Sequence, residues 1–314
     1  MTLKLPWCEY PTSADTTLHG LFDLTEDLPV VDFTSGSEYR NDRFKPVRVR
    51  TLDTTQTLET ARVVARSFAI NEPMNRHIRP SKQVPESITK VTYRDAWGND
   101  PFGPWTTENI FFWFVRLLLL GNPSDPLDRI DRNEDLLDHS FAMVNDGRIT
   151  GGCFNITLPY EDEAPREKDP FLEAIFSHYG PIVNFLQMAE QKAMDALKKK
   201  YPAFRKALKL GKVGSIYMIA RSNELSSEHT FGLFATSCEH FREQGYEYII
   251  ISATNQWTGA ACEVLSGVRV YFSPFRNLKR IATEYEAAEN EPYSQDGFIA
   301  GKDSGVMIYT MKLR

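Results

Sequence analysis

The sequence predicts a mixed α/β domain built on one central sheet. Three observations carry this. Short strand-like runs alternate with longer amphipathic segments along most of the chain. An Asn145-Asp146-Gly147 turn joins two strand-like runs near the middle, and Asp-Gly supplies the positive φ of a tight hairpin. The last third reads strand, helix, strand, helix, strand, then a final strand at Gly305–Lys312.

Residues 1–46 show little periodicity and many turn formers. They are expected to be an N-terminal arm ahead of a domain spanning 47–314. Val47 to Arg50 alternates, which predicts a strand over 47–52. Asp53 then offers an N-cap, with Gln56 three residues on, as in a capping box. Leu58, Ala61, Val64, Ala65 and Phe68 follow at helical spacing to about Ile70. Residues 71–106 are irregular. A helix over 107–120 stops at Gly121 and Pro123. Strands are expected at Ser140–Val144 and Arg148–Leu158, then a charged loop over 159–168.

A helical region of about 40 residues comes next. Ile182, Phe185, Leu186, Ala189, Ala193 and Leu197 share one face. Lys198, Lys199 and Lys200 suit a helix C-terminus, where the backbone dipole favours cations. A strand is expected at Ile216–Ala220, a polar loop at 221–229, and a helix over 230–244 closed by Gly245. In that helix Phe231, Phe234, Ala235, Cys238 and Phe241 point inward. A strand at 246–252, a helix at 257–266 and a strand at 268–272 complete the pattern.

Composition bounds the function. The chain has 314 residues, 42% of them hydrophobic, enough for a sizeable core. Its net charge of −6 argues against nucleic acid as the main partner, because phosphate binding needs a basic surplus. Cys8, Cys153, Cys238 and Cys262 share no metal-site spacing, and the six histidines make no ligand pattern. Reduced thiols in a cytoplasmic protein are expected. The first residues contain no apolar signal-like run. The most apolar stretch, Ile110 to Leu120, is eleven residues interrupted by Arg116, whereas a membrane span needs about 20.

Several motifs narrow this further. Phe68-Ala-Ile-Asn71-Glu72-Pro73-Met74-Asn75 is similar to the F-x-x-x-E-P-L-N segment after the first helix of insect-type arylalkylamine (dopamine) N-acetyltransferases. The hairpin VNDGRITGGCFN over 144–155 resembles the DGRIVG turn of the GNAT superfamily of acyl-CoA-dependent N-acyltransferases. The helical stretch between the third and fourth expected strands, with Tyr201-Pro202 near its end, also resembles that family, as does the order of the last elements. The resemblance covers about residues 47–314. It implies a GNAT-like mixed sheet flanked by helices, with a helical insertion between strands 3 and 4. It also implies an acyl-CoA donor (acetyl-CoA or longer) and a primary amine acceptor, either a small molecule or a peptide. The family's pyrophosphate loop falls on Ser227-Glu228-His229-Thr230-Phe231-Gly232, where Gly232 is the position that fits. The family's acid tyrosine falls on Cys262.

Acyl transfer from a thioester needs a held anion, a polarised carbonyl, a deprotonated amine and a protonated leaving thiolate. A helix N-terminus carries unpaired N–H groups that suit a pyrophosphate. Amides from Ser227 to Gly232, Thr230 and Phe231 included, are candidates for this, with Arg221 adding charge. A backbone N–H among Met218, Ile219 and Ala220 is the candidate oxyanion donor. Glu72 is the candidate general base; its alternative is a surface carboxylate. Thr254 and Thr258 are candidates to orient the amine or shuttle a proton; the alternative is strand-end capping. Cys262 is a candidate proton donor or a packing thiol. The Ile110–Leu120 run is either a core helix or one wall of an acyl-chain tunnel. The expected activity is N-acyl transfer. A long-chain fatty acyl transferase acting on a peptide or amino-acid side chain and a catalytically inactive binding protein stand as alternatives.

Overall fold

In the computed structural model, the residues described are 20–33, 45–71, 107–120, 134–158, 170–222, 225–275, 277 and 305–314. The strands are β1 (Gly20–Leu21), β2 (Lys45–Arg48), β3 (Phe141–Asn145), β4 (Arg148–Leu158), β5 (Val213–Arg221), β6 (Tyr248–Ala253), β7 (Val268–Pro274) and β8 (Gly305–Lys312). The helices are α1 (Thr54–Asn71), α2 (Thr107–Leu120), α3 (Glu134–His139), α4 (Pro170–Lys200), α5 (Pro202–Lys209), α6 (Ser227–Glu243) and α7 (Gln256–Val264).

Local sequence chemistry sets most boundaries. The capping box forms: Gln56 N–H donates to Asp53 Oδ1 at 2.8 Å, and Asp53 N–H donates to Gln56 Oε1 at 3.3 Å. The hairpin turn has Asp146 at φ 48° and Gly147 at φ 78°, the left-handed pair that matches strand twist. The lysine run 198–200 ends α4 as expected.

Other boundaries differ from the sequence expectation. The strand expected over 47–52 is β2, Lys45–Arg48. Val49–Thr51 instead coils into a single 3₁₀ turn, closed by the Leu52 N–H on the Val49 carbonyl at 3.0 Å, which leads into the Asp53 cap. Part of the expected arm is sheet. Gly20 and Leu21 pair with Phe272 and Tyr271, and Val31 N–H donates to the Lys312 carbonyl at 2.8 Å. The α3 helix, too short to show a hydrophobic period, was not expected.

All strands join one eight-stranded sheet in the order β1-β7-β8-β6-β5-β4-β3-β2. The pairing is antiparallel except between β5 and β6. Alternation sorts the side chains into two cores. Tyr248 and Ile250 of β6, with Val306 and Ile308 of β8, join a core under α1, α2, α4 and α5. Ile249, Ile251, Met307 and Tyr309 join a second core under α6 and α7. The Ile110–Leu120 run is largely accounted for here: Phe111, Trp113, Val115 and Leu119 are buried in the first core.

Two features anchor α6. Gly214 of β5 lies where α6 comes closest. A Cβ there would meet the Phe241 ring at 2.6 Å, so the bare backbone permits the contact. Below it, a polar cluster ties α6 to α3. His139 Nδ1 lies 3.2 Å from His240 Nε2, and His139 Nε2 lies 3.0 Å from the Tyr246 hydroxyl. That hydroxyl is 2.6 Å from Thr157 Oγ1, whose N–H donates to Asp135 at 2.6 Å. Burial lowers the His240 pKa to about 4, helped by the Arg48 and His139 charges and opposed by Asp138. Burial also lowers His139, against Asp135 and Asp138.

Two predictions follow from α6. Gly214→Ala should cost about 1–3 kcal/mol, the scale of overpacking, read as a lower denaturation midpoint; an unchanged midpoint would show that the helix is free to shift. Both histidines are held neutral in the folded state but titrate near 6.5 when unfolded. Their contribution is therefore complete above about pH 6.5 and is lost as pH falls toward 4. Urea unfolding should show stability declining across that window, and His240→Gln should flatten part of the decline. Equal slopes for the two proteins would remove His240 from the account.

Candidate active site

The central parallel pair does not stay together. β5 and β6 are in register from Val213↔Tyr248 to Ile216↔Ile251 and then separate, although β5 continues to Arg221 and β6 to Ala253. The cause lies on the other edge of β5. There Ile216 pairs with Asn155 and Met218 with Phe154, so Tyr217 is one extra residue, a bulge. Side-chain parity flips across it. Val213 precedes the bulge in the first core and Ile216 faces the second, yet Met218 and Ala220 return to the first. Bending at Tyr217 turns β5 away from β6 and leaves its outer edge without a strand partner.

A cavity of about 420 Å³ fills the fork. Its strand walls are Ser215, Ile216, Tyr217, Met218 and Ile219 on one side and Ile251, Ser252 and Thr254 on the other. Asn255 and Thr258 add to the lining beyond the C-terminal end of β6. α4 covers it with Val183, Leu186, Gln187 and Glu190, α2 with Phe114 and Leu118, and α1 with Phe68. Most of the lining is apolar, with a few polar groups converging, the usual character of a small-molecule site.

The polar groups have definite partners. Glu190 receives a hydrogen bond from the Ser252 hydroxyl at 2.5 Å. Burial raises the Glu190 pKa, and the Ser252 bond only partly offsets this. Tyr217 is 39% exposed and lines the cavity. Its hydroxyl pKa is raised by burial and then by the Glu190 charge, which keeps the phenol protonated. Asn255 is the N-cap of α7: its Oδ1 accepts from Thr258 N–H at 2.9 Å and from Thr258 Oγ1 at 3.1 Å.

The connection from β5 to α6 leaves the C-terminal end of β5, on the same side of the parallel pair as the β6–α7 junction. Ser222 N–H donates to the Thr150 carbonyl at 2.8 Å, and the Arg221 guanidinium donates to the Leu225 carbonyl. Ser226 is the N-cap of α6; its Oγ accepts from His229 N–H at 3.4 Å and lies 2.6 Å from His229 Nδ1. The Ser222 hydroxyl is buried with no partner among the described residues.

These facts place the expected site residues. Met218 and Ile219 line the cavity, and Ala220 and Arg221 continue the same strand toward the loop. Thr254 and Thr258 are both cavity walls, four residues apart across the β6–α7 junction. The junction is capped by Asn255 rather than Thr254. Glu72 lies outside the described residues; the turn before it carries Phe68, a cavity wall.

Two expectations are corrected. The helix starts at Ser227, not at residue 230, because Ser226 supplies the cap. Thr230 N–H already bonds the Ser226 carbonyl at 3.2 Å, so the amides without an intrahelical acceptor are those of Ser226–His229. The amides of Thr230, Phe231 and Gly232 belong to the helical ladder, and Phe231 is fully buried. Cys262 is not a cavity wall. It is fully buried on the inner face of α7, in the second core with Leu233, Phe272 and Tyr309.

Glu190, Ser252, Tyr217 and Asn255 were missed. Asn255 followed three residues later by Thr258 is a readable cap signal. Glu190 sits four residues after Leu186 and three before Ala193, a carboxylate within the apolar stripe of α4. Tyr217 leaves no such trace, because nothing in the run IYMIA marks the bulge.

The fold is matched by known structures. The crystal structure of a putative arylalkylamine N-acetyltransferase 7 from the yellow fever mosquito matches it with a TM-score of 0.52, at 10% identity over 100% of both chains. The C-terminal condensation domain of Ebony, solved with beta-alanyl-dopamine, matches with a TM-score of 0.51 at 13% identity, over 86% of this chain and 97% of that one. No protein-family model matches the sequence, and no curated protein sequence is similar to it. At these identities the likeness establishes the fold, the one the sequence motifs implied. Among the described residues, no helix is long and apolar enough to cross a membrane, and no cluster of ligating side chains is placed to hold a metal ion.

Proposed function

We propose that the protein is an acyl-CoA-dependent N-acyltransferase whose active site is the fork cavity. The observation that carries this is the fork itself: two parallel strands forced apart over a partly apolar cavity, with an N-capped helix at one end. A bound acyl-CoA would supply the activated acyl group. The residues fit such a group. The amides of Ser227 and Glu228 point out of the α6 N-terminus, the end that favours a diphosphate. The buried Ser222 hydroxyl, without a partner among the described residues, lies in the loop that leads to them.

The remaining roles follow the cavity walls. The open edge of β5 over Met218–Ala220 offers backbone N–H groups for a polarised carbonyl. Thr254 and Thr258 orient the amine. Glu72 keeps the role of general base on the strength of its Glu-Pro-Met-Asn match. Tyr217, a protonated hydroxyl in the cavity, takes the proton-donor role that Cys262 is too buried to perform. The proposed donor is short. Among the described side chains of α2, Phe114 and Leu118 reach the cavity, and the other apolar ones pack into the core or against it. The cytoplasmic setting is retained, consistent with Cys153, Cys238 and Cys262 as buried free thiols.

Thiol release from acetyl-CoA and palmitoyl-CoA across a panel of primary amines tests the reading. Release that depends on the amine supports it. CoA binding without release would leave a binding module. Turnover should fall with donor length from acetyl to dodecanoyl, and Leu118→Trp should remove the residual long-donor activity first. A rising series would restore the tunnel reading of α2. Ser227→Glu places a carboxylate at the open amides. It should weaken CoA binding at least tenfold while leaving the helix folded, since acidic residues suit that terminus. Unaltered CoA affinity would move the diphosphate elsewhere.

A further inference from the structure

Glu190 is out of place for a packing residue. It projects from the apolar face of α4 into a cavity whose nearer walls include Phe114, Leu118 and Leu186. The residue is half-buried at the cavity wall, and its partner among the described residues is one neutral hydroxyl, Ser252. A carboxylate partly removed from water and given a single neutral donor is left short of positive charge. The cavity side is where that charge can arrive.

We propose that the Glu190–Ser252 pair is the docking site for the ammonium group of an apolar primary amine. This rests on the acyltransferase reading of the same cavity and names its acceptor class. The Ser252 hydroxyl, held by β6, fixes one carboxylate oxygen and leaves the other for the ligand. A primary amine is cationic at neutral pH, as a lysine side chain is. The hydrocarbon walls then take the body of the ligand, so a single-headed amine with an aryl or alkyl body fits better than a polyamine. Described cavity walls offer no second carboxylate for another cationic end.

The test is equilibrium binding by calorimetry, with no acyl donor present, of 2-phenylethylamine and of its neutral counterpart 2-phenylethanol. The parent protein should prefer the amine at least tenfold. Glu190→Gln should bring the two to within about twofold while binding the alcohol as the parent does, which also shows that the cavity is intact. Ser252→Ala, which keeps the charge, should retain a preference for the amine. Equal binding of both ligands by the parent, or an undiminished preference in Glu190→Gln, would overturn the proposal. Should the Gln variant not fold, Glu190→Asp decides: the preference must survive in the charge-keeping variant, and its loss there overturns the proposal. CoA binding measured on the same samples separates the two readings. Amine preference without CoA binding sinks the transferase and keeps the amine site; CoA binding without amine preference does the reverse.

Discussion

One extra residue in β5 decides the shape of the cavity in the middle of this sheet. A strand between two neighbours must satisfy both edges of its backbone. On one side, β5 keeps its ladder with β4 through to Arg221. It can do so past Tyr217 only by bending. On the other side, that bend breaks the ladder with β6 after Ile216. The cost is a run of strand edge with no strand beside it. The consequence is a cleft in the middle of the sheet, where α4, α2 and α1 roof it over and side chains from both strands face inward. Without the bulge, the same sequence would present a closed sheet and no cavity.

Rigid packing surrounds this opening. β6 is backed on its far side by β8 over six residue pairs, so β6 does not follow β5 outward. α6 is fixed to the base of β5 by the close contact at Gly214 and by the His139–His240–Tyr246 cluster. Its N-terminus is therefore held in place relative to the fork. The polar cluster sits on the closed side of the sheet, where hydrogen bonds that depend on neutral histidines do not compete with charges in the cavity. The cluster that holds α6 shares no residue with the cavity lining.

What was legible in the sequence was local. The capping box at Asp53 and Gln56 and the Asp-Gly turn depend on neighbours three residues apart or fewer, and both formed as read. Alternation in the strands and the stripe on α4 were legible because burial repeats with the element's period. The α6 start was misplaced because the inward aromatics begin at Phe231, whereas the cap at Ser226 precedes them by more than a turn. Its place in a motif leaves Cys262 open as proton donor or packing thiol, and the face of α7 that carries it packs inward, as the packing reading has it. The bulge is a relation between two strands far apart in sequence, and no periodicity encodes it. Glu190 lies between these cases. The stripe was seen and the carboxylate within it was passed over, because its partner Ser252 is 62 residues away.

The surroundings of the fork differ in character from place to place, and this gives the cavity a direction. At the β5–α6 loop, helix amides from the α6 terminus and the Arg221 side chain make the surroundings favourable to anions. Under α4, a carboxylate and a ring of hydrocarbon make them favourable to a cation with an apolar body. Between them lies the open edge of β5, a row of backbone dipoles that neither uses. A molecule with a diphosphate tail and a carbonyl head can enter from the first, and an ammonium can be held at the second. Their reactive atoms would then meet over Met218–Ala220. The acceptor nitrogen is both the charged group and the nucleophile, so it would attack only after giving up a proton to a base, while the diphosphate at the α6 N-terminus stays apart from it. That separation is what a transfer between an anionic donor and a cationic acceptor requires, because direct pairing of their charges would hold them in the wrong orientation.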